Sequence, residues 1–498
     1  MRYWTIYIAL CCSITILGAD WWPLPMDSTD TQQDSLTYQV ALSATIGTGQ
    51  YNAFWMQSNQ WGCASLAANS GTLHLGIAKE STRPCRWYDY DIALEVYGVL
   101  HSPLSQHLSI EWSRFPMSQW RNGMVAIHKA CAHVRLYIID IAAGIIPIDD
   151  GMNTPLSSGS LLLSHNAPSM PTIRIGIDRW TAIPGSFGYA EIKGGLVHAW
   201  LNDNVYMHGC KLHYKYIGLR LGGRLPINIS YDFHHAAQWG GYLSNGVDLG
   251  NKSVDFWHTI LAKSGGSSYN EHFNAQGNHL GSQQITLTTK GSNWEVCAYW
   301  QNLLDDNFAF IGTGHNLPDG RWGITFAQSE WLYINRLTME YVGTTDQTGP
   351  WHDQDAIIYA GHDNYYCNGI YKQGWNHYCR TLGTPLITSP IYNEDGYLQT
   401  KNNRVKAWHI GIGGDIEGFK YYCMGTYIQN YGRYTDKAYW YNMQNYNLAL
   451  LLDIRKTITK AWGLEFGLRI AADIGTQWNN QVSTMFTITK KGILTTYK

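Results

Sequence analysis

Charge is scarce in this chain. Asp, Glu, Lys and Arg make up 14% of its 498 residues, against roughly 25% in ordinary soluble domains. The formal net charge is −2, so no basic field points to nucleic acid. Long apolar runs are also missing. After Leu17 no stretch supplies the ~20 apolar residues of a spanning helix, and mean hydropathy is negative. A polytopic helical membrane protein is excluded. The cysteines are scattered. Cys63, Cys85, Cys131, Cys210, Cys297, Cys367, Cys379 and Cys423 contain no C-x-x-C pair, so no zinc framework emerges. Cys367 and Cys379 share one loop, which leaves a disulfide between them open. Enzyme signatures are absent too: no H-E-x-x-H, G-x-S-x-G, P-loop or G-x-G-x-x-G occurs. Asp149 and Asp150 would be a carboxylate pair for glycoside hydrolysis, but the following Gly-Met-Asn makes them a turn first. His128, Cys131 and His133 have loose ligand spacing, yet only Cys131 and His133 share a strand face. No catalytic residue, cofactor or metal is therefore expected from motifs, and a glycosidase would rest on Asp149 and Asp150 alone.

Aromatic rings and glycine are plentiful instead: 34 Tyr, 22 Trp and 50 Gly. Residues 216–241 read YIGLRLGGRLPINISYDFHHAAQWGG. The first arm puts Ile217, Leu219 and Leu221 on one face and Gly218, Arg220 and Gly222 on the other. Residues 223–226 reverse the chain. The second arm sets Ile227, Ile229, Tyr231 and Phe233 against Asn228, Ser230, Asp232 and His234. This is a hairpin with one apolar and one polar face. The same alternation runs through Ile92, Leu94 and Val96, through Ile173, Ile175 and Ile177, and through Trp408, Ile410 and Ile412. It is broken only by Leu451 in the run from Leu448 to Ile454. Its longest form sets Trp462, Leu464, Phe466, Leu468, Ile470, Ala472 and Ile474 against Glu465, Arg469 and Asp473. A tilted strand of ~9–11 residues crossing a bilayer needs such a pattern. Aromatic residues at strand ends suit the two membrane interfaces.

Roughly sixteen to twenty such segments can be counted by this pattern. Some connections are tight, and others, notably 240–278 and 343–403, are long. The pattern predicts an all-β fold: a single transmembrane antiparallel β-barrel with short periplasmic turns and long extracellular loops. Polar groups facing inward, Arg220, Asp232, Glu465, Arg469 and Asp473, are expected to pair in the lumen. The N-terminus carries Arg2, an apolar run from Trp4 to Leu17, and Gly18-Ala19, which resembles a secretory signal peptide over 1–19. A polar lead-in over 20–36 and a barrel over 37–498 complete the organisation.

The loop 343–403 is dense in rings and polar groups. Sugars stack their C–H faces on Trp and Tyr and hydrogen-bond through their hydroxyls. Trp351, Tyr365, Tyr366 and Trp375 are the expected stacking platforms, and Asp363, His377 and Arg380 their polar partners. A loop packed by its own aromatics has the same composition. Gln238 and Trp239, at the rim of the hairpin, are the second candidate place. There His234 would line the lumen, His235 face the interface and Trp239 join an aromatic girdle.

Several blocks resemble the Wzi-type capsule-assembly family of outer-membrane proteins, in its Bacteroides-like form. They are 51–62 (YNAFWMQSNQWG), 151–164 (GMNTPLSSGSLLLS) with 166–171, 183–193 (IPGSFGYAEIK), and the hairpin ending in HHAAQWGG. Their order and spacing carry the likeness over nearly the whole chain after the leader. The resemblance implies an 18-stranded outer-membrane barrel, a surface lectin that binds capsular polysaccharide and helps attach it to the cell. It implies outer-membrane lipid as the surroundings, a monomer, and no enzymatic activity. The helical bundle that precedes the barrel in enterobacterial members has no counterpart in the short polar lead-in. A porin for sugars or small solutes is the competing class, separated by whether the lumen is filled.

Overall fold

The computed structural model describes residues 34–80, 87–104, 112–113, 116–203, 205–265, 275–305, 316–329, 333–349, 352–354, 357–359, 363–434, 445–459 and 463–497. Among them, eighteen strands make the wall. In chain order they are β1 (Asp34–Gly47), β2 (Ser70–Glu80), β3 (Tyr88–His101), β4 (Gly123–Leu136), β5 (Ile139–Ile146), β6 (Met170–Ala182), β7 (Ala190–Leu201), β8 (Cys210–Leu221) and β9 (Ile227–Trp239). The second half is β10 (Asn278–Lys290), β11 (Trp294–Asp305), β12 (Gly320–Gln328), β13 (Arg336–Gly343), β14 (Val405–Ile416), β15 (Phe419–Asn430), β16 (Asn445–Thr459), β17 (Leu464–Gly475) and β18 (Gln481–Tyr497). Each pairs antiparallel with its sequence neighbours, and β1 pairs with β18 from Asp34↔Tyr497 to Gly47↔Ser483, which closes the barrel. Among the described residues, closure leaves the eighteen-stranded wall without an unpaired edge strand. The wall begins at Asp34, three positions before the first strand expected from sequence; the proposed leader, along with Trp351 and Trp462, lies outside the described residues.

Connections alternate in length. At one end the chain turns over 137–138, 222–226, 291–293 and 417–418; at the other it runs through 48–69, 147–169, 240–277 and 344–404. Two short helices, α1 (Phe54–Gln57) and α2 (Ser253–Ile260), belong to the long-loop end.

The faces follow the alternation. On β17 Phe466 is 43% exposed on the outer face, while Arg469, Ala471 and Asp473 are buried inside. Ile217, Leu219, Ile173, Ile175 and Ile410 are likewise exposed. Trp322, Tyr341, Trp408, Tyr427 and Tyr446 form a row across five adjacent strands near the long-loop end. Successive ring centroids lie 5.6, 5.4, 6.0 and 6.4 Å apart. Such a row matches the aromatic girdle of a barrel at a lipid–water boundary.

Four of the five inward charges pair with an opposite charge as expected, while Asp473 accepts from the Phe54 backbone N–H and the Gln481 amide, each at 2.8 Å, instead. Arg220 bonds Glu191 at 2.6 Å and Lys193 meets Asp232 at 2.8 Å. Glu465 lies 3.7 Å from Lys491. Asp453 takes two hydrogen bonds from Arg455, at 2.8 and 2.9 Å, and one from Arg469 at 2.8 Å. Two cations sharing one buried carboxylate need this geometry to offset their lost hydration. His133, Asp140 and Asp178 also come together. Their oxygens are already engaged by Arg135, Arg174 and Tyr216.

Candidate functional site

Three long loops do not stand up from the barrel mouth; they fold into it. The first brings α1 against β16 and β17. Asp473 accepts the Phe54 backbone N–H at 2.8 Å, and Trp55 Nε1 donates to Thr426 at 3.0 Å. Leu451, out of step in the sequence pattern, faces the lumen and joins the same apolar cluster as Phe54 and Trp55. Its break in the alternation is thus a packing contact.

The second loop is 147–169, which crosses the lumen with almost every residue from Met152 onward buried. A buried chain must satisfy its backbone, and wall side chains supply the partners. Arg321 Nη2 donates to the Met152 carbonyl at 2.8 Å and Nη1 to Ser157 at 3.0 Å. Glu340 accepts from Ser158 N at 2.6 Å, Gln301 from Leu161 N at 3.1 Å, and His409 Nε2 donates to Leu156 O at 2.6 Å. Gly411 on β14 leaves room for this approach, since a Cβ there would sit 2.7 Å from Leu156 Cβ. Asp149 and Asp150 anchor the same loop. Asp149 accepts from Gly151 N at 2.7 Å and holds His165 at 2.9 Å; Asp150 accepts from Met152 N at 3.1 Å and from Ser160. The turn expected from sequence is what this carboxylate pair makes.

The third loop is 344–404, and it holds most of the residues singled out as sugar contacts. Tyr365, Tyr366, Trp375, His377 and Arg380 are all buried. Trp375 Nε1 donates to Leu162 O at 2.9 Å and the Tyr366 hydroxyl to Leu161 O. Gly383 permits that contact, because a Cβ there would meet the Tyr366 hydroxyl. Arg380 donates to Gln57 Oε1 at 2.7 Å, and His377 Nδ1 lies 3.7 Å from Asp203. Asp363 is half-buried and accepts from Asn316 Nδ2 at 2.8 Å. The platforms expected on display therefore sit inside the barrel, bracing loops against each other. Their hydrophobic area and N–H donors serve the lumen, where an open chain would leave both unsatisfied. Cys367 and Cys379 are not joined to each other, and the Cys367 thiol donates to the Thr400 carbonyl at 3.6 Å.

Gln238 and Trp239 separate. Gln238 faces the lumen and donates to Gly374 O at 3.0 Å, tying β9 to the third loop. Trp239 faces outward, under the Phe256 ring of α2 at 5.6 Å. His234 lines the lumen and bonds the Tyr214 hydroxyl at 2.7 Å. His235 is on the outer face but covered, 2.9 Å from His279.

What the long-loop end offers to solvent is a different set of residues. Tyr397 is exposed, with the Arg433 guanidinium 5.3 Å from its ring centroid and 3.2 Å from its hydroxyl. Arg404 lies 3.9 Å over the Tyr434 ring, and the Tyr434 hydroxyl donates to Asp346 O at 2.7 Å. Tyr431 donates to Gln429 at 3.1 Å, with Lys406 5.9 Å from its ring. Half-open rings beside fixed guanidinium and amide groups make a surface that can stack a sugar face and bond its hydroxyls. These residues come from two loops distant in sequence, so no local signal marked them. Inside, a cavity of about 90 Å³ is lined by Asn52, Gln60, Trp61, His74, Tyr97 and His128 among others.

No family model matches the sequence, and no curated protein does. Solved structures share the architecture. The chain is similar to Wzi of Escherichia coli, an outer-membrane protein involved in group 1 capsule assembly and a carbohydrate-binding β-barrel. The TM-score is 0.55 at 13% identity, covering 90% of this chain and 83% of that one. Acinetobacter baumannii OccAB2 gives 0.48 at 9% identity, covering 94% and 100%, and Pseudomonas aeruginosa OccK7 gives 0.44 at 9%, covering 93% and 99%. At 13% identity the likeness to Wzi is one of fold: an 18-stranded barrel of the kind that outer-membrane proteins have.

Proposed function

We propose that this chain is an outer-membrane surface lectin whose long-loop end holds capsular polysaccharide at the cell surface, without enzymatic activity. The observation that carries the reading is the pairing of a lumen crossed by three inward loops with a ring-and-guanidinium surface above them. A filled lumen favours holding over passage. Tyr397, Arg433, Tyr431, Arg404 and Tyr434 are the proposed contacts, joined by Asp363 and Trp351 on the loop that supplies Tyr397. Tyr365, Tyr366, Trp375, His377, Arg380 and Gln238 are proposed to act through the loop they brace, and Trp239 through the outer rim. A repeating polymer engages several weak subsites at once, so no single contact has to be strong. The known binding of carbohydrate by the Escherichia coli barrel of the same architecture supports this reading.

The test compares two variants of the full chain. Tyr397→Ala with Arg433→Ala removes surface contacts; Trp375→Ala removes a brace. Both should weaken binding to the host's own capsular polysaccharide by about tenfold or more, the equivalent of 1.4 kcal/mol. Only Trp375→Ala should lower the heat-stability of the barrel. Parental binding by the double variant would move the site off this surface.

A further inference from the structure

The fourth long loop, 240–277, takes another course. Over its described residues it lies against the outside of the wall. Near the long-loop end, the outward positions of β7 to β10 are not apolar. Leu196 is exposed, but its same-face successors are His198 and Trp200; above Ile217 come Lys215, His213 and Lys211; above Ile229 come His235 and Trp239; and β10 adds His279. Bare, these lysines and histidines would face hydrocarbon, where unpaired polar groups are costly.

The loop covers them. The Phe256 ring of α2 lies 5.7 Å from His198, 6.3 Å from His213 and 5.6 Å from Trp239. Lys215 Nζ donates to the Ile260 carbonyl, and Lys211 Nζ donates to Asn251 at 2.8 Å. The Gln276 carbonyl can only accept, so His279 Nε2 donates to it at 2.8 Å; in the neutral ring Nδ1 then accepts from His235 Nε2 at 2.9 Å. The inner side of the loop is thus matched to a polar wall.

Its outer side is apolar. Val254, Trp257 and Leu261 are 50, 57 and 56% exposed. Spacings of three and four residues put Val254 and Trp257 on one helix face, with Leu261 following at the C-cap. Leu196, Ile173 and Ile217, on three adjacent strands of the wall, are likewise exposed aliphatic side chains. Lys252 and Lys263, both exposed, flank it.

We infer that α2 is a membrane-seated roof. Its Val254, Trp257 and Leu261 face meets the acyl chains of the leaflet at the long-loop end. Trp257 takes the girdle place that Trp408 and Tyr427 hold on the bare wall. Lys252 and Lys263 reach up to the phosphates of the headgroup layer, as long basic side chains do at such boundaries. The inference rests on the outer-membrane reading, and its test separates the two.

Full-length protein in phosphatidylglycerol-containing vesicles carries a spin label at Val254→Cys, Trp257→Cys or Leu261→Cys. Phe466→Cys and Ile474→Cys are the wall controls and Lys372→Cys the aqueous control; the signal of labelled parent is subtracted. Collision rates with oxygen and with a water-soluble nickel chelate are compared. The three helix labels should give the oxygen-rich ratio of the wall controls. Nickel access matching position 372, with the wall controls still oxygen-rich, overturns the roof and leaves the barrel standing. Nickel access at every site overturns the membrane reading itself. Helix labels closed to both reagents mean that protein, such as a second copy, covers the face, and that overturns the lipid contact as well.

Discussion

Phe466 and Gly467 are neighbours on β17 and face opposite surroundings. Phe466→Arg places a charge on the outer face, which costs ~2–4 kcal/mol near mid-bilayer. Gly467→Ser adds a group on the lumen side, where a Cβ finds Thr487 at 3.6 Å and Arg455 at 3.8 Å, both ordinary contacts; the effect should be small. Denaturant unfolding in lipid vesicles measures both, and equal costs would overturn the barrel reading. These faces were legible in the sequence because side-chain direction alternates strictly along a strand. Partners were less so. Arg469 was expected to find an acid, but that Asp453 serves both Arg455 and Arg469 depends on register across β16 and β17. The rings of the third loop were the least legible. Tyr365, Tyr366 and Trp375 suit a loop that displays rings to a sugar. They equally suit one that must bury its own backbone, and composition does not distinguish the two.

At the scale of the element, the inward loops hang on a few buried carboxylates. Asp150 holds the second loop, and Asp319 accepts from Asp346 N and Gln347 N, at 2.9 and 2.8 Å, at the root of the third. Burial pushes both carboxyls up to about 6. A folded value above the unfolded one means the folded loop binds protons more tightly. The stabilisation is then complete below about pH 4 and is lost as pH rises through about 6, by at most about 3 kcal/mol per group. Protease cutting within 151–163 should therefore speed up between pH 4.5 and 7.5, beyond the change in the protease's own rate on an unfolded peptide. Asp150→Asn, which cannot titrate, should flatten that rise; an unchanged profile would remove Asp150 from the switch. The segment 151–171 stood out in the sequence as one of the blocks of resemblance. Its path did not, because its partners Gln301, Arg321, Glu340 and His409 sit on four separate strands.

For the whole molecule, holding and passage make opposite demands on the lumen. A channel needs a continuous wet path; a lectin needs a platform that does not yield when polymer is pulled. Here the wall supplies the charges that line many channels, yet Arg321 and Glu340, 3.6 Å apart and fully buried, are turned to holding the second loop. Alternation, turn chemistry and the unequal connections were enough to give the barrel, but the filling of its lumen depends on contacts between residues up to several hundred positions apart. Phe54 with Asp473 is one such pair, and Tyr366 with Leu161 another. Conductance distinguishes the two demands. In a planar bilayer the parent chain should show little current. Replacing 152–163 by a short Gly-Ser linker removes the backbone that Arg321, Glu340, Gln301 and His409 hold and should open steady, ion-conducting steps. Loss of polysaccharide binding should accompany it, because Trp375 and Tyr366 then lose the carbonyls that seat the third loop. A parent that conducts as freely as the deletion would mean that the loops do not seal the lumen, and the porin reading would take the place of the lectin.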